Sequence, residues 1–259
     1  KAQKEAETFN VDSTLYEYYQ RCQEYLLEPV VLNMSDTLFR MAGERQDERM
    51  QAVAIATQLD YYYFQGTNED SVIHYTNKVK EFAKATHQPK YYYFAWANRL
   101  ITYYLKTSRT NIALYEVQNM LKEAQEEDDK TGLSRCYNIM SQIYTIKRFD
   151  SMAFEWRLKE IELTEKYKIE NYNISQTYAQ IANYYINQKK QKEALAAVEK
   201  AIATANSSTQ QISAKLEFVN YYSKFGDFQA AEKLLKECQA AFEQDKRLKK
   251  KKKRLYNIE

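Results

Sequence analysis

The sequence is poor in the residues that bend a chain. Only 4 glycines and 2 prolines occur in 259 residues, and these are the types that supply the backbone angles of tight turns. A fold of short strands joined by hairpins is thereby disfavoured, and long helices are expected. Histidine is as scarce. His74 and His87 stand alone, neither with cysteine or carboxylate at ligand spacing on both sides, and both read as surface or packing residues. HExxH is absent, as is any glycine-rich phosphate loop. Cys22, Cys136 and Cys238 are odd in number, far apart and form no CxxC. Each falls among apolar helical neighbours and reads as a small buried thiol, which leaves the redox compartment open. No apolar run approaches the roughly 20 residues of a membrane span. No signal peptide opens the sequence, yet it starts without methionine and stops in a polar stretch. Both ends read as cuts, which leaves room for an exported, anchored parent protein.

Tyrosine is what the chain has in excess, at 24 residues. Runs such as Tyr61-Tyr62-Tyr63-Phe64 and Tyr91-Tyr92-Tyr93-Phe94 look β-prone in isolation. They lie in segments with a 3.6-residue period, so helix is expected. An apolar ring with a polar tip suits a half-buried groove.

The formal net charge of +3 hides an asymmetry, because Lys246 to Arg254 holds eight basic residues in nine positions and 3 − 8 leaves −5 elsewhere. This run has three readings: solvated helix surface, a segment close to an anionic membrane leaflet, or a nucleic-acid patch. The last lacks interleaved aromatics, and the acidic body would repel phosphate, which argues against nucleic acid. The carboxylates Glu123 and Glu126-Glu127-Asp128-Asp129 read as a solvated helix end before a break at Thr131-Gly132. No sign of a shaped pocket supports a catalytic pair.

A pattern recurs along the chain. Tyr178, Ile181, Ala182 and Tyr185 form one helical stripe, a polar break follows, and Ala194, Val198 and Ala201 form a second. Phe218, Val219 and Tyr222 lead through Gly226-Asp227-Phe228 to Ala231, Leu235 and Cys238. The same frame returns around Tyr137, Ala97 and Ala56. Small residues then open the second helix of each pair at Val72, Ala113, Ala153, Ala194 and Ala231, with spacings of 41, 40, 41 and 37. They are required where two helices cross closely. A further pair is expected at the start, with Ser13 capping a helix to about Leu27 and Pro29 opening one that ends near Gly43.

The stripes and turns resemble the tetratricopeptide repeat, with Tyr178 in place of its Trp and Ala182 in place of its Gly. The resemblance covers most of the chain. It implies an all-α fold, a right-handed superhelical solenoid of about six antiparallel helix pairs over residues 1–245, with a terminal pair at 12–44 and clear repeats at about 50–245. Residues 246–259 are expected as a basic C-terminal helix or tail. Units of about 40 residues, the tyrosines and the charged ending Leu255-Tyr256-Asn257-Ile258-Glu259 also resemble the extracytoplasmic sensor region of some bacterial membrane regulators. In those proteins the repeats precede a histidine-kinase or DNA-binding output domain.

In the tetratricopeptide family the first helix of each pair lines a concave groove. The residues expected there are Tyr61, Phe64, Asn98, Thr102, Asn138, Gln142, Asn183, Asn187 and Asn220: aromatics at one end, then a row of amides able to pair with the backbone of an extended peptide. Members that grip a C-terminal carboxylate place Lys and Arg in the groove. The matching places here hold Thr57, Asn98, Asn138, Ala179 and Leu216, so the chaperone-tail clamp is not expected.

The expected function is a non-catalytic, cofactor-free protein- or peptide-binding module without a metal. It would be the sensing or scaffold segment of a larger bacterial signal-transduction protein, extracytoplasmic, with a homodimer and membrane proximity through Lys246–Arg254 as further expectations. A free-standing cytoplasmic adaptor and an enzyme with a cryptic site are the alternatives.

Overall fold

The computed structural model describes residues 12–256, with side chains to Lys246. Among these residues the chain is helical, in six consecutive pairs. The first two pairs are α1 (Ser13–Glu24) with α2 (Val30–Glu44) and α3 (Glu48–Gln65) with α4 (Glu69–Ala85). Helix α5 runs Pro89–Tyr93, passes through a π-helical stretch Phe94–Ile101 and returns to α geometry over Thr102–Lys106; it pairs with α6 (Thr110–Glu126). Then come α7 (Lys130–Ile146) with α8 (Asp150–Tyr167), α9 (Ile174–Asn187) with α10 (Gln191–Ala203), and α11 (Ser208–Phe225) with α12 (Phe228–Tyr256). Contacts divide the chain into two compact units, the first ending at Ile139 and the second beginning at Met140, within α7.

The terminal pair departs in detail from its expected bounds. Asp12, not Ser13, caps α1: its carboxylate accepts from the Thr14 and Leu15 amides. An ionised side chain at that place satisfies two orphan donors and favours the positive helix end. The helix stops at Glu24, and Pro29 takes the cap position ahead of Val30.

Turns are built with little glycine. Nine of the eleven connections hold one residue at positive φ, and only Gly66 and Gly226 of these are glycine. Gln46, His87, Ser108, Asp128, Arg148, Lys168 and Lys189 carry the others. At eight of the nine the hydrogen bonding is that of the Schellman motif, in which the amide beyond the left-handed residue reaches back to the carbonyl that opens the last turn; at Gly66 the glycine's own amide donates to Tyr62 at 3.1 Å. Phe149, Lys190 and Asp227 donate to the carbonyls of Tyr144, Tyr185 and Tyr222, each at 2.9 Å. A stripe tyrosine thus ends the first helix, and the next pair member starts directly after the turn.

Each helix buries its apolar face against its partner and its neighbours. Val72, Ala113 and Ala194 are fully buried, and Ala153 and Ala231 nearly so, as the close crossings require. In the first unit Leu15, Cys22, Val31, Leu38 and Ala42 form a cluster that α3 covers with Met50 and Ala54. In the second, Tyr178, Ile181, Ala182 and Ile186 interlock with Ala194, Val198 and Ala201, and Tyr221 closes the cluster from α11. First helices pack on first helices, α3 on α5 and α9 on α11.

Gly132 lies inside the first turn of α7 and is no break. The break falls two residues before α7, at Asp128 (φ 53°), and Asp129 accepts from the Gly132 amide at 2.7 Å. Glu123 and Glu127, read above as solvated, accept from the hydroxyls of Tyr92 (2.5 Å) and Tyr93 (3.5 Å). Burial first, and then the nearby carboxylates, hold both phenols well above their usual range. No described helix is long and apolar enough to cross a membrane.

Candidate functional site

The first helices of each unit carry a cleft. In the first unit α1, α3, α5 and α7 enclose about 240 Å³. Tyr19, Val53, Ala56, Tyr91 and Phe94 supply mostly apolar walls, with Thr57, Asp60, Lys90 and Arg135 among them. Asp60 pairs with Arg99 at 2.5 Å. Burial raises the Asp60 carboxyl above its ordinary value, and the Arg99 guanidinium pulls it back down. Arg99 is further held by rings, 4.5 Å from the Phe94 centroid and 4.8 Å from that of Tyr63. These contacts are favourable because the ring face is negative.

The expected aromatic end of the groove is found in α3 but not in this cleft. Tyr61 is half-buried and packs on the N-terminal cluster. Phe64 is exposed, 5.5 Å from the Arg99 guanidinium and 5.8 Å from the Lys106 ammonium. Thr102 spends its hydroxyl on its own helix, donating to the Ala97 carbonyl at 2.9 Å. That five-residue reach belongs to the π-helical stretch, and the Ala97 carbonyl accepts from the Thr102 backbone amide as well. Asn98 accepts from Arg135 across to α7. Arg135 was not among the expected groove residues.

In the second unit α7, α8, α9 and α11 enclose a polar cleft of about 290 Å³. Arg157 forms its floor, largely buried; its Nε donates to Gln180 at 2.8 Å and its Nη2 to Thr145 at 2.6 Å. Burial lowers its pKa, with Glu160 and Asp150 acting the other way. Above it three of the expected amides meet. Asn187 donates to Asn183 at 3.1 Å, and Asn183 and Asn220 each donate to Glu217 at 3.4 Å. Tyr184 borders the cleft, its ring stacked on Phe154 at 4.0 Å. Asn138 and Gln142 are half-buried and engaged within the protein; Asn138 belongs to the first unit and Gln142 to the second.

Among the described residues no three His, Cys, Asp or Glu side chains converge as a metal site would need. All three cysteines are buried and free. Burial pushes the Cys22 thiol up to about 11 and that of Cys136 to about 12.

No family model matches the sequence, and no curated protein does. Solved structures match over most of the chain. The crystal structure of BtubC from P. vanneervenii superposes with a TM-score of 0.63 at 13% identity, covering 91% of this chain and 93% of that one. Aspartyl phosphate phosphatase F from Bacillus subtilis gives 0.53 at 12%, over 88% of this chain but 60% of its own. The apo form of RapI gives 0.50 at 14%, over 90% and 99%. At such identities the likeness is one of fold, and the fold is that of a tetratricopeptide-like helical repeat protein.

Proposed function

We propose that this chain is a non-enzymatic binding module that holds an extended peptide or protein segment along the exposed faces of its first helices. The observation that carries this is the chain of amides in the second unit, Asn187 to Asn183 to Glu217 with Asn220 joining. Each amide group has more donors and acceptors than these bonds use. Two of the bonds are long, so they orient the groups without consuming them. Such a row matches the alternating donors and acceptors of a peptide backbone.

The module serves as the sensing or scaffold segment of a larger bacterial signalling protein, outside the cytoplasm. Occupancy of its clefts is passed to α12, which is unbroken over 29 residues and, at about 1.5 Å per residue, long enough to act as a lever. The basic run from Lys246 to Arg254 lies on that helix, and its side chains beyond Lys246 lie outside the described residues.

A displayed library of random peptides, selected on the purified chain, tests the binding reading. Selected peptides are expected to lose at least tenfold in affinity for Asn183→Ala combined with Asn220→Ala. Those bonds are long and partly solvated, so stability should fall by less than about 1 kcal/mol per site. Failure to enrich any sequence, or equal affinity for the double variant, would refute it.

A further inference from the structure

We propose that the cleft of the first unit receives a carboxylate carried on an apolar peptide segment, with Arg135 as its counter-ion. This concerns a different cleft and a different ligand chemistry from the amide row, so either can fail without the other.

Three other arginines of the chain have acids beside them. Arg99 has Asp60 at 2.5 Å, and Arg109 has Glu69 at 2.6 Å. Arg157 has two close acceptors, and the carboxylates of Glu160 and Asp150 offset part of the cost of its burial. Arg135 has none of this. Among the described residues no carboxylate lies within ion-pair distance of it, its Nη1 donates to the neutral Asn98, and its Nε is buried without an acceptor. Arg135 is half-buried with its Nε cut off from water, and shielding even part of a cation is costly unless something compensates. Nothing in the described residues supplies the missing negative charge.

The place of Arg135 says what would. It forms part of the wall of the 240 Å³ cleft, together with Tyr19, Val53, Tyr91 and Phe94. Lys90 also lines that wall and is itself engaged within the protein. Asp60 faces the same space but is already paired with Arg99, so it does not neutralise Arg135. A planar guanidinium with one nitrogen committed still offers donors to a carboxylate. Aromatic and aliphatic walls suit the apolar side chain next to it. The volume holds one or two side chains, which fits a short peptide element and not a large cofactor.

The carboxylate can come from an acidic side chain or from a chain terminus, and four probes separate these sources. One is an acetylated, amidated tripeptide with glutamate between leucine and phenylalanine, and the second is its glutamine analogue. The third and fourth are acetylated leucyl-phenylalanine with a free and with an amidated C-terminus. Each is titrated into the full chain while the arginine Nε–Hε NMR signals are followed, with that of Arg135 assigned by its loss in Arg135→Lys. At least one carboxylate probe is expected to shift the Arg135 signal and to bind tenfold or more tighter than its neutral counterpart. The pair that shows this names the source. Arg135→Gln should erase the preference, and Arg135→Lys should keep part of it. Equal binding of charged and neutral probes overturns the proposal, as does no binding of any probe at millimolar concentration or a preference that survives in Arg135→Gln. If Arg135→Gln fails to fold, the wild-type titration decides alone.

Discussion

The contact between Gly132 and Tyr93 allows a sharp test of how the first unit is packed. A Cβ built on Gly132 would lie 2.5 Å from Cζ of the Tyr93 ring and 2.7 Å from both Cε atoms. That ring is 1% exposed and among the largest fully buried side chains of the chain. Its hydroxyl reaches Glu127, and its neighbour Tyr92 meets it edge-on at 5.1 Å, so it has no free direction in which to move. Overpacking of this kind costs about 1–3 kcal/mol. Alanine returns up to about 1 kcal/mol through helix propensity and a less flexible unfolded chain. Gly132→Ala should therefore lose about 1–2 kcal/mol in urea unfolding, seen as a lower midpoint at constant slope. Two controls isolate the cause. Gly43→Ala meets only the end of the Gln51 side chain, at 2.8 Å, which can swing aside, so it should be neutral or gain up to about 1 kcal/mol. Gly66→Ala meets nothing within 4 Å but has φ +68°; it should lose about 1 kcal/mol from backbone strain alone. Removing the ring should relieve the first variant, so Gly132→Ala with Tyr93→Leu should cost less than the sum of the single changes. A Gly132→Ala protein as stable as wild type would show that α7 does not meet α5 in this way.

Other consequences follow from the turns and the ion pairs. Arg148 and Lys189 are exposed and hold φ of 64° and 58°, so Arg148→Gly or Lys189→Gly should each raise stability by about 0.5–1 kcal/mol in the same assay. Arg99→Ala should cost about 3 kcal/mol, because it leaves Asp60 shielded and without its cation; Asp60→Asn added to it should recover part of the loss. Hydrogen bonds from Lys200 and then Tyr178 hold the Glu165 carboxyl below its ordinary value. A depressed folded value contributes stability above the unfolded value, about pH 4.3, and that contribution disappears as pH falls through the folded value. The stability difference between wild type and Glu165→Gln should therefore shrink below about pH 4, and a constant difference would disprove the link.

The helix pairs were legible because they rest on side-chain volume and period, both written along the chain itself. Val72, Ala113, Ala153, Ala194 and Ala231 were marked by a recurring frame, and all are buried at helix crossings. The tyrosine runs could be assigned to helices for the same reason, since their neighbours keep a 3.6-residue period. The turns were harder to read. Scarce glycine pointed to few bends, yet seven connections carry a left-handed residue with a side chain. Packing of each pair over-determines that backbone, so a strained residue is tolerated where a free peptide would demand glycine. Gly132 misled in the opposite sense. Its purpose is room for a ring 39 positions earlier in the chain, and nothing in its neighbourhood announces that.

The candidate sites show where such reading ends. A groove position can be inferred from its place in a repeat, but whether its polar group is spent depends on what lies across from it. Asn183, Asn187 and Asn220 were expected in a row; Asn187 meets Asn183 directly, and Asn183 and Asn220 meet through Glu217, a residue the repeat frame did not single out. Thr102 was expected to face a ligand, and a local π-helical turn diverts its hydroxyl to Ala97. Arg135 carries no local signal, because a lone arginine on a helix is ordinarily a solvated charge. Its distinction is the absence of an acid opposite, a property of three dimensions. The signal that could have found it is comparative: Arg99 and Arg109 lie 39 and 40 residues from the acids they pair with, one repeat length in each case. The residue about one repeat before Arg135, at the 37-residue reach it actually uses, is Asn98. A repeat that puts an acid opposite two of these arginines, and an amide opposite the third, leaves that one charge for something outside the chain to meet.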